Sequence, residues 1–192
     1  MALGRAFSIA VNGLLGETVE IEADITSGLP GVHLVGLPDA ALQESRDRVR
    51  SAILNIDEPW RPRKVTINLS PASVRKRGSG FDLALACACL GAFDALTPAQ
   101  LADWVFVGEL GLDGAVRPVR GILPMVLAAA EAGHERVMVA EQSAREAGLV
   151  PDIAVTPVTS LREAVAVLRG VEPARPMPPG ATVEPPSGPD LC

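Results

Sequence analysis

The chain has almost no aromatic side chains: Phe and Trp make up 3% of its 192 residues, and Tyr is missing altogether. A core in this chain is therefore built from Val, Leu, Ile and Ala, and at this length a single domain can bury about two-thirds of its unfolded surface. Cysteine is also scarce, at three residues: Cys87, Cys89 and Cys192. Cys87 and Cys89 sit in the apolar run LALACACLGA and read as buried free thiols. A zinc site would need two further ligands, and His33 and His134 are far away in sequence, so no metal is expected. No run of uninterrupted apolar residues reaches the roughly 18 needed to span a membrane, and MALGRAFSIAVNG lacks a signal-peptide core. The expectation is a cytoplasmic protein with no membrane partner. There is no Gly-Lys pair anywhere, which excludes ATP hydrolysis by a P-loop in this chain. G-x-S-x-G, H-E-x-x-H and C-x-x-C are missing too.

What is present is an uneven charge distribution. The net charge is −6, yet between Arg46 and Arg77 nine basic residues meet only three acids, a local +6 that leaves −12 on the rest. The nine are Arg46, Arg48, Arg50, Arg61, Arg63, Lys64, Arg75, Lys76 and Arg77. Such a split predicts a basic surface on an acidic body.

Local patterns give the elements. Residues 5–25 read as a hairpin around Asn12-Gly13, with Val19, Ile21, Ala23 and Ile25 on one face. VHLVG (32–36) is a short strand, followed by a helix from Pro38 to about Ile56 that sets Leu42, Val49 and Ile53 on one face. KVTINLS (64–70) is a strand, and residues 81–95 form a helix apolar nearly all round. Thr97 caps a short helix, and WVFVGEL (104–110) pairs with AVRPV (115–119) across LDG. A helix from Leu123 to Ala132, strands at 136–140 and IAVTPV, a short helix SAREAG between them, and a helix at 160–170 with the capping box Ser160/Glu163 complete the domain. Residues 1–170 thus form one domain, and the Pro/Gly-rich stretch 171–192 reads as a linker toward something that follows it.

Two stretches carry a family resemblance. GLPGVHLVGLPDAALQESRDRVRSAI (28–53), followed by KVTINLSPASVRKRGSGFDLALA, resembles the N-terminal domain of the YifB/ComM family of magnesium-chelatase-like AAA+ ATPases. FVGELGLDGAVRPVRGILPMVLAAAEAG (106–133) resembles both that family and the proteolytic domain of Lon, and its GEL-x-L-x-G core is similar to RadA as well. The resemblance implies an α/β (α+β) fold of the ribosomal protein S5 domain 2-like, Lon-like type. It implies an ATPase module beyond the linker, holding ATP and magnesium, and a homo-oligomeric full-length protein. It also implies DNA processing, including branch migration and natural transformation in some relatives. The ending PDLC resembles the start of the junction to that module, so the chain is expected to be an isolated piece of a longer protein.

Lon-type proteases cut peptides with a Ser–Lys dyad. In the resemblance, Gly80 of KRGSGFDL stands where the Ser would be, and Leu123 of RGILP where the Lys would be. Proteolysis is therefore not expected. Ser79 reads as a turn or cap hydroxyl, with a displaced Ser79–Lys76 dyad as the alternative. Asp82 reads as a dipole or cap carboxylate, and Glu109 as a group that orients backbone or pairs with an Arg. The functional expectation falls on Arg46, Arg50, Arg61, Arg63, Lys64, Arg75, Lys76 and Arg77 as contacts to DNA phosphates, independent of base sequence. Arg46 and Arg50, at i and i+4, share a helix face. Two alternatives stand beside DNA binding: a module that only assembles subunits of an ATPase ring, and an altered peptidase.

Overall fold

The computed structural model describes residues 3–13 and 15–176. Most of the 171–192 linker reading, and Cys192, lie outside the described residues.

A hairpin comes first. Strands β1 (Gly4–Asn12) and β2 (Leu15–Thr26) pair antiparallel from Gly4↔Ala23 to Asn12↔Leu15. The alternation predicts one buried face, and Val19, Ile21 and Ala23 are fully buried, with Ile25 packed at their edge. Strand β3 (Gly31–Val35), helix α1 (Ala40–Asn55) and strand β4 (Lys64–Ser70) form a parallel crossover unit, and β4 also pairs antiparallel with β2. Helix α1 starts later than its sequence suggests. Asp39 is the N-cap, its Oδ1 accepting the Leu42 N–H at 2.8 Å, and Pro38 lies outside the helix.

Helix α2 (Asp82–Ala92) has every residue buried. Its small side chains let it press onto β1: a Cβ on Gly4 would stand 1.9 Å from the Ala88 carbonyl oxygen, so only glycine fits there. Leu83, Leu85 and Leu90 anchor it, each contributing about 1.5–3 kcal/mol on burial. Helix α3 (Pro98–Leu101) carries a Thr97/Gln100 capping box and leads into β5 (Trp104–Val107), which runs parallel to β1.

The expected 104–110 strand is two elements. The chain breaks at Gly108, whose N–H donates to the Gly80 carbonyl at 3.0 Å and whose carbonyl accepts the Leu83 N–H at 3.1 Å. With those groups taken by the loop before α2, β5 stays in the main sheet. Glu109–Leu110 (β6) turns away to pair with Val116–Arg117 (β7). Helix α4 (Ile122–Glu131), strand β8 (Arg136–Ala140), a 3₁₀ turn with helix α5 (Ala144–Ala147), strand β9 (Ala154–Val158) and helix α6 (Leu161–Leu168) follow. Ser160 caps α6 as expected, accepting the Glu163 N–H at 3.2 Å. The return bond differs from the expected box, because the Glu163 carboxylate accepts from Thr159.

The result is a mixed α/β fold around one seven-stranded sheet, ordered β3-β4-β2-β1-β5-β8-β9, with four of its six strand pairings parallel. One face packs α1, α2 and α6 into the larger core, and the other packs α4 and α5 against Ile9, Val105, Val107, Val137 and Val139. Among the described residues no helix is long and apolar enough to cross a membrane.

Candidate nucleic-acid interface

The basic segment divides according to what each side chain meets. Arg48 sits two residues from both Arg46 and Arg50 on α1 and so points to another side of the helix, toward α2. There it meets Asp82, which is completely buried. Arg48 Nε donates to Asp82 Oδ2 at 2.7 Å and its Nη2 to Oδ1 at 3.2 Å. Ser45 Oγ also donates to Oδ1, and the Leu110 N–H donates to Oδ2 at 3.1 Å. Burial pushes the Asp82 carboxyl above its ordinary range, and the bonds from Arg48, Ser45 and Leu110 pull back against that shift. The same ion pair raises the pKa of Arg48. Asp82 is thus more than a helix-end carboxylate: it ties α1, α2 and β6 together. Sequence reasoning counted Arg48 in the basic segment but not among the phosphate contacts, and it did not foresee Asp82 as its partner.

Arg46 and Arg50 face outward. With Arg63, His33 and Trp60 they line an open cleft of about 720 Å³ where β3 begins. Arg46 Nε is steadied by the Gln43 carbonyl at 2.8 Å, and Trp60 is set edge-on against Phe93 with ring centroids 5.1 Å apart. Arg61 and Arg63 border an adjoining hollow of about 250 Å³ with Phe93 and Asp94. Lys64 is half-buried at the start of β4, its stem beside Gly28. Arg75 and Arg77 lie elsewhere, in a notch of about 430 Å³ with Leu37 and Pro38, past the far end of β3. The five residues of β3 separate the two basic regions by about 17 Å at roughly 3.3 Å per residue.

Lys76 does not join them. Its side chain is fully buried, its ammonium donates to the Pro71 carbonyl, and burial lowers its pKa. A lysine in that position has no path to a phosphate outside. The other seven are exposed or half-buried, and among the described residues none has a carboxylate within 4.0 Å. Arg5, Arg48, Arg162, Arg169 and Arg175 do have such partners. Arg117, Arg120, Arg136 and Arg145, outside the basic segment, likewise have no carboxylate within 4.0 Å among the described residues, so what sets the basic surface apart is the gathering of several such cations around one cleft.

At the positions of the peptidase dyad, a Cβ on Gly80 would meet Val119 at 3.6 Å, an ordinary contact, so the place has room for a side chain but offers no hydroxyl. Leu123 is half-buried and packs with Val119 in the apolar cluster under α4. The displaced alternative is not assembled either: Ser79 Oγ donates to Glu109 Oε2, while Lys76 is held by Pro71. Glu109 therefore orients a loop hydroxyl, a partner that sequence reasoning missed.

The magnesium-chelatase likeness implies ATP and magnesium, and the residues here do not fit them. The chain has no Gly-Lys phosphate loop, and among the described residues no three His, Cys, Asp or Glu side chains gather as metal ligands. Cys87 and Cys89 are buried in α2, and burial pushes the Cys89 thiol up to about 12.

Comparison with known proteins places this geometry. The family model for subunit ChlI of Mg-chelatase matches residues 21–143. An uncharacterised protein of Mycobacterium tuberculosis is 57% identical over 170 residues, 88% of this chain and 34% of its own length. Competence protein ComM of Haemophilus influenzae is 39% identical over 172 residues, 90% of this chain and 34% of its own. YifB of Salmonella typhimurium is 41% identical over 150 residues, 78% and 29% respectively. A Lon protease of Mycolicibacterium smegmatis matches more distantly, at 28% identity over 182 residues, 89% of this chain and 23% of its own length, in keeping with the Lon-like α/β fold. The chain spans about a third of the length of the Mycobacterium tuberculosis and Haemophilus influenzae relatives. The chain belongs to the magnesium-chelatase-like family that includes ComM and YifB.

Proposed function

We propose that this chain is a non-proteolytic accessory domain that holds DNA by its phosphates for a YifB/ComM-like AAA+ ATPase. One observation carries the reading: Arg46, Arg50 and Arg63 converge on one open cleft with no carboxylate partner within 4.0 Å among the described residues. Three guanidiniums outnumber the one acid of this open groove, Asp47, and suit phosphates, and contacts made mainly to phosphates are independent of sequence. Trp60 offers one surface for stacking a base. ATP and magnesium belong, on this reading, to the part of the relatives beyond the matched third, and the working form is a homo-oligomer in the cytoplasm. The name of the relative, competence protein ComM, ties it to competence, and DNA handling is the role we propose here.

The test is fluorescence anisotropy with labelled single-stranded and duplex DNA across a salt series. Affinity is expected to fall steeply with salt, by a log–log slope of about 0.7–0.9 per phosphate neutralised. An Arg46/Arg50/Arg63→Ala variant should flatten that slope by two to three such increments while keeping its fold. Salt-independent affinity, or a triple variant that binds as wild type, refutes the reading.

A second reading has its own observation: among the described residues β3 and β9 are the outer strands of the sheet, each paired on one side. Open edges are natural seams between subunits. On that reading the chain self-associates with rising concentration and shifts no DNA.

A further inference from the structure

The turn between β3 and α1 presents an apolar side chain in a backbone conformation that such residues avoid. Among the described residues four non-glycine positions have positive φ: Asp57, Asp94, Asp152 and Leu37. Aspartate adopts that region readily, because its carboxylate bonds to nearby backbone. Leu37, at φ 58, has no such compensation. Burial does not explain it, since Leu37 is 60% exposed.

The surrounding structure holds it there. The preceding Gly36 lies so close to β4 that a Cβ would stand 2.1 Å from the Leu69 carbonyl oxygen, which fixes the start of the turn. Behind it, Pro38 bridges to Lys76, and the Asp39 N–H donates to the Lys76 carbonyl at 3.2 Å. The Gly78 N–H donates to Asp39 Oδ2 at 3.1 Å, and the Lys76 ammonium is sunk onto the Pro71 carbonyl. The two loops, GLPD and RKRGS, are therefore latched into one rigid body. Its outer edge is Leu37, Arg75 and Arg77 around the 430 Å³ notch. Asp39, the acid in this notch, accepts from the Leu42 and Gly78 N–H groups, and neither Arg75 nor Arg77 has a carboxylate within 4.0 Å among the described residues. A strained, solvent-facing leucine on a rigid mount, sharing one notch with Arg75 and Arg77, is the kind of outlier that a ligand explains.

We propose that Leu37 is an apolar wedge that enters an already unstacked base step of DNA, while Arg75 and Arg77 hold the phosphates on either side. This rests on the DNA-binding reading above and adds a second point of contact, about 17 Å from the Arg46 cleft by the length of β3. The two guanidiniums favour a polyanion over an apolar protein surface. Apolar wedges between base steps need unstacking, and that cost is least where a step is mismatched or unpaired. The site thus distinguishes distorted from intact duplex, which phosphate contacts alone do not.

The experiment uses the full 192-residue chain with Leu37→Asn and Leu37→Gly, both suited to positive φ, so neither should lower the thermal midpoint. The probes are a short intact duplex and the same duplex with a central mismatch beside a 2-aminopurine. Wild type should bind the mismatched duplex roughly tenfold tighter, the scale of one base contact, and raise the 2-aminopurine fluorescence. Both variants should lose that preference and that signal while binding intact duplex, with its salt slope, as wild type does. Equal binding of the two duplexes by wild type overturns the wedge but leaves the phosphate interface standing. A preference that survives in both variants also overturns it. If wild type binds neither duplex, both readings fall. If the variants change only self-association in sedimentation, Leu37 is a subunit contact and the wedge is wrong.

Discussion

Arg48→Met should destabilise the domain by about 3–5 kcal/mol at pH 7.5, because it strands a charge in the core. Asp82 has no exposed surface, and its carboxylate accepts from Arg48 twice, from Ser45 and from the Leu110 N–H. The methionine keeps most of the volume but removes two of those four donors and the countercharge. Asp82→Asn should cost less, about 1–3 kcal/mol, since Arg48 keeps 21% of its side chain exposed and lies 4.0 Å from Glu44. Arg48→Met combined with Asp82→Asn should be more stable than Arg48→Met alone. The dependence on pH gives a sharper check. Burial holds the Asp82 carboxyl above the ordinary aspartate range, so between the unfolded and folded pKa the folded state binds the proton more tightly. The group's contribution is therefore fully present below that window and lost as pH rises through it. Removing Arg48 raises the folded pKa further and widens the window upward, so the deficit of Arg48→Met should shrink from pH 7.5 to pH 5. Urea melts followed by far-UV circular dichroism at the two pH values measure both effects. A deficit under about 1 kcal/mol at pH 7.5 would mean that Asp82 is folded as a neutral acid without needing Arg48, and a large deficit that does not shrink in acid would mean that Arg48 acts through packing and not through its charge.

Gly80→Ala should be neutral or stabilise by about 0.4–1 kcal/mol, because the new methyl meets only Val119 at 3.6 Å; Gly36→Ala, aimed at the Leu69 carbonyl oxygen at 2.1 Å, should lower the thermal midpoint by several degrees. Cys87 and Cys89 should stay unmodified by iodoacetamide at pH 8 in the folded protein and react on unfolding, as read by peptide mapping, because burial raises both thiols, Cys89 to about 12. Modification of either in the native protein would show that α2 opens readily.

Elements set by local chemistry were readable in advance. The hairpin follows from alternation, α1 from the spacing of Leu42, Val49 and Ile53, and α6 from Ser160. The misread places have long-range causes. The break at Gly108 depends on the Gly80 carbonyl, 28 residues earlier, accepting its N–H and on Leu83, in the first turn of α2, donating to its carbonyl. Arg48 reads as one more surface cation until Asp82, 34 residues on, is placed beside it. Lys76 shows the converse. Composition puts it between two exposed arginines, but strict alternation along Arg75-Lys76-Arg77 turns its side chain inward, opposite to theirs.

That alternation bears on what became of the peptidase geometry. A Lon-type site needs a hydroxyl at the head of the buried helix and an amine brought against it, and this chain offers neither Gly80 nor Leu123 for the purpose. It does hold a serine and a lysine with a lowered pKa within the same turn, yet Ser79 is bound to Glu109 and Lys76 to Pro71. Each side chain that catalysis would need free is instead spent on fixing a loop. The loop fixed by Lys76 is the one that carries Arg75 and Arg77 outward beside Leu37. Removing the buried amine with Lys76→Met should therefore disturb the notch rather than any hydrolysis. Loss of mismatch preference in that variant, with casein left uncut by wild type and variant alike, is the expected outcome. Casein cleavage abolished by Lys76→Met would instead show that the turn still works as a peptidase.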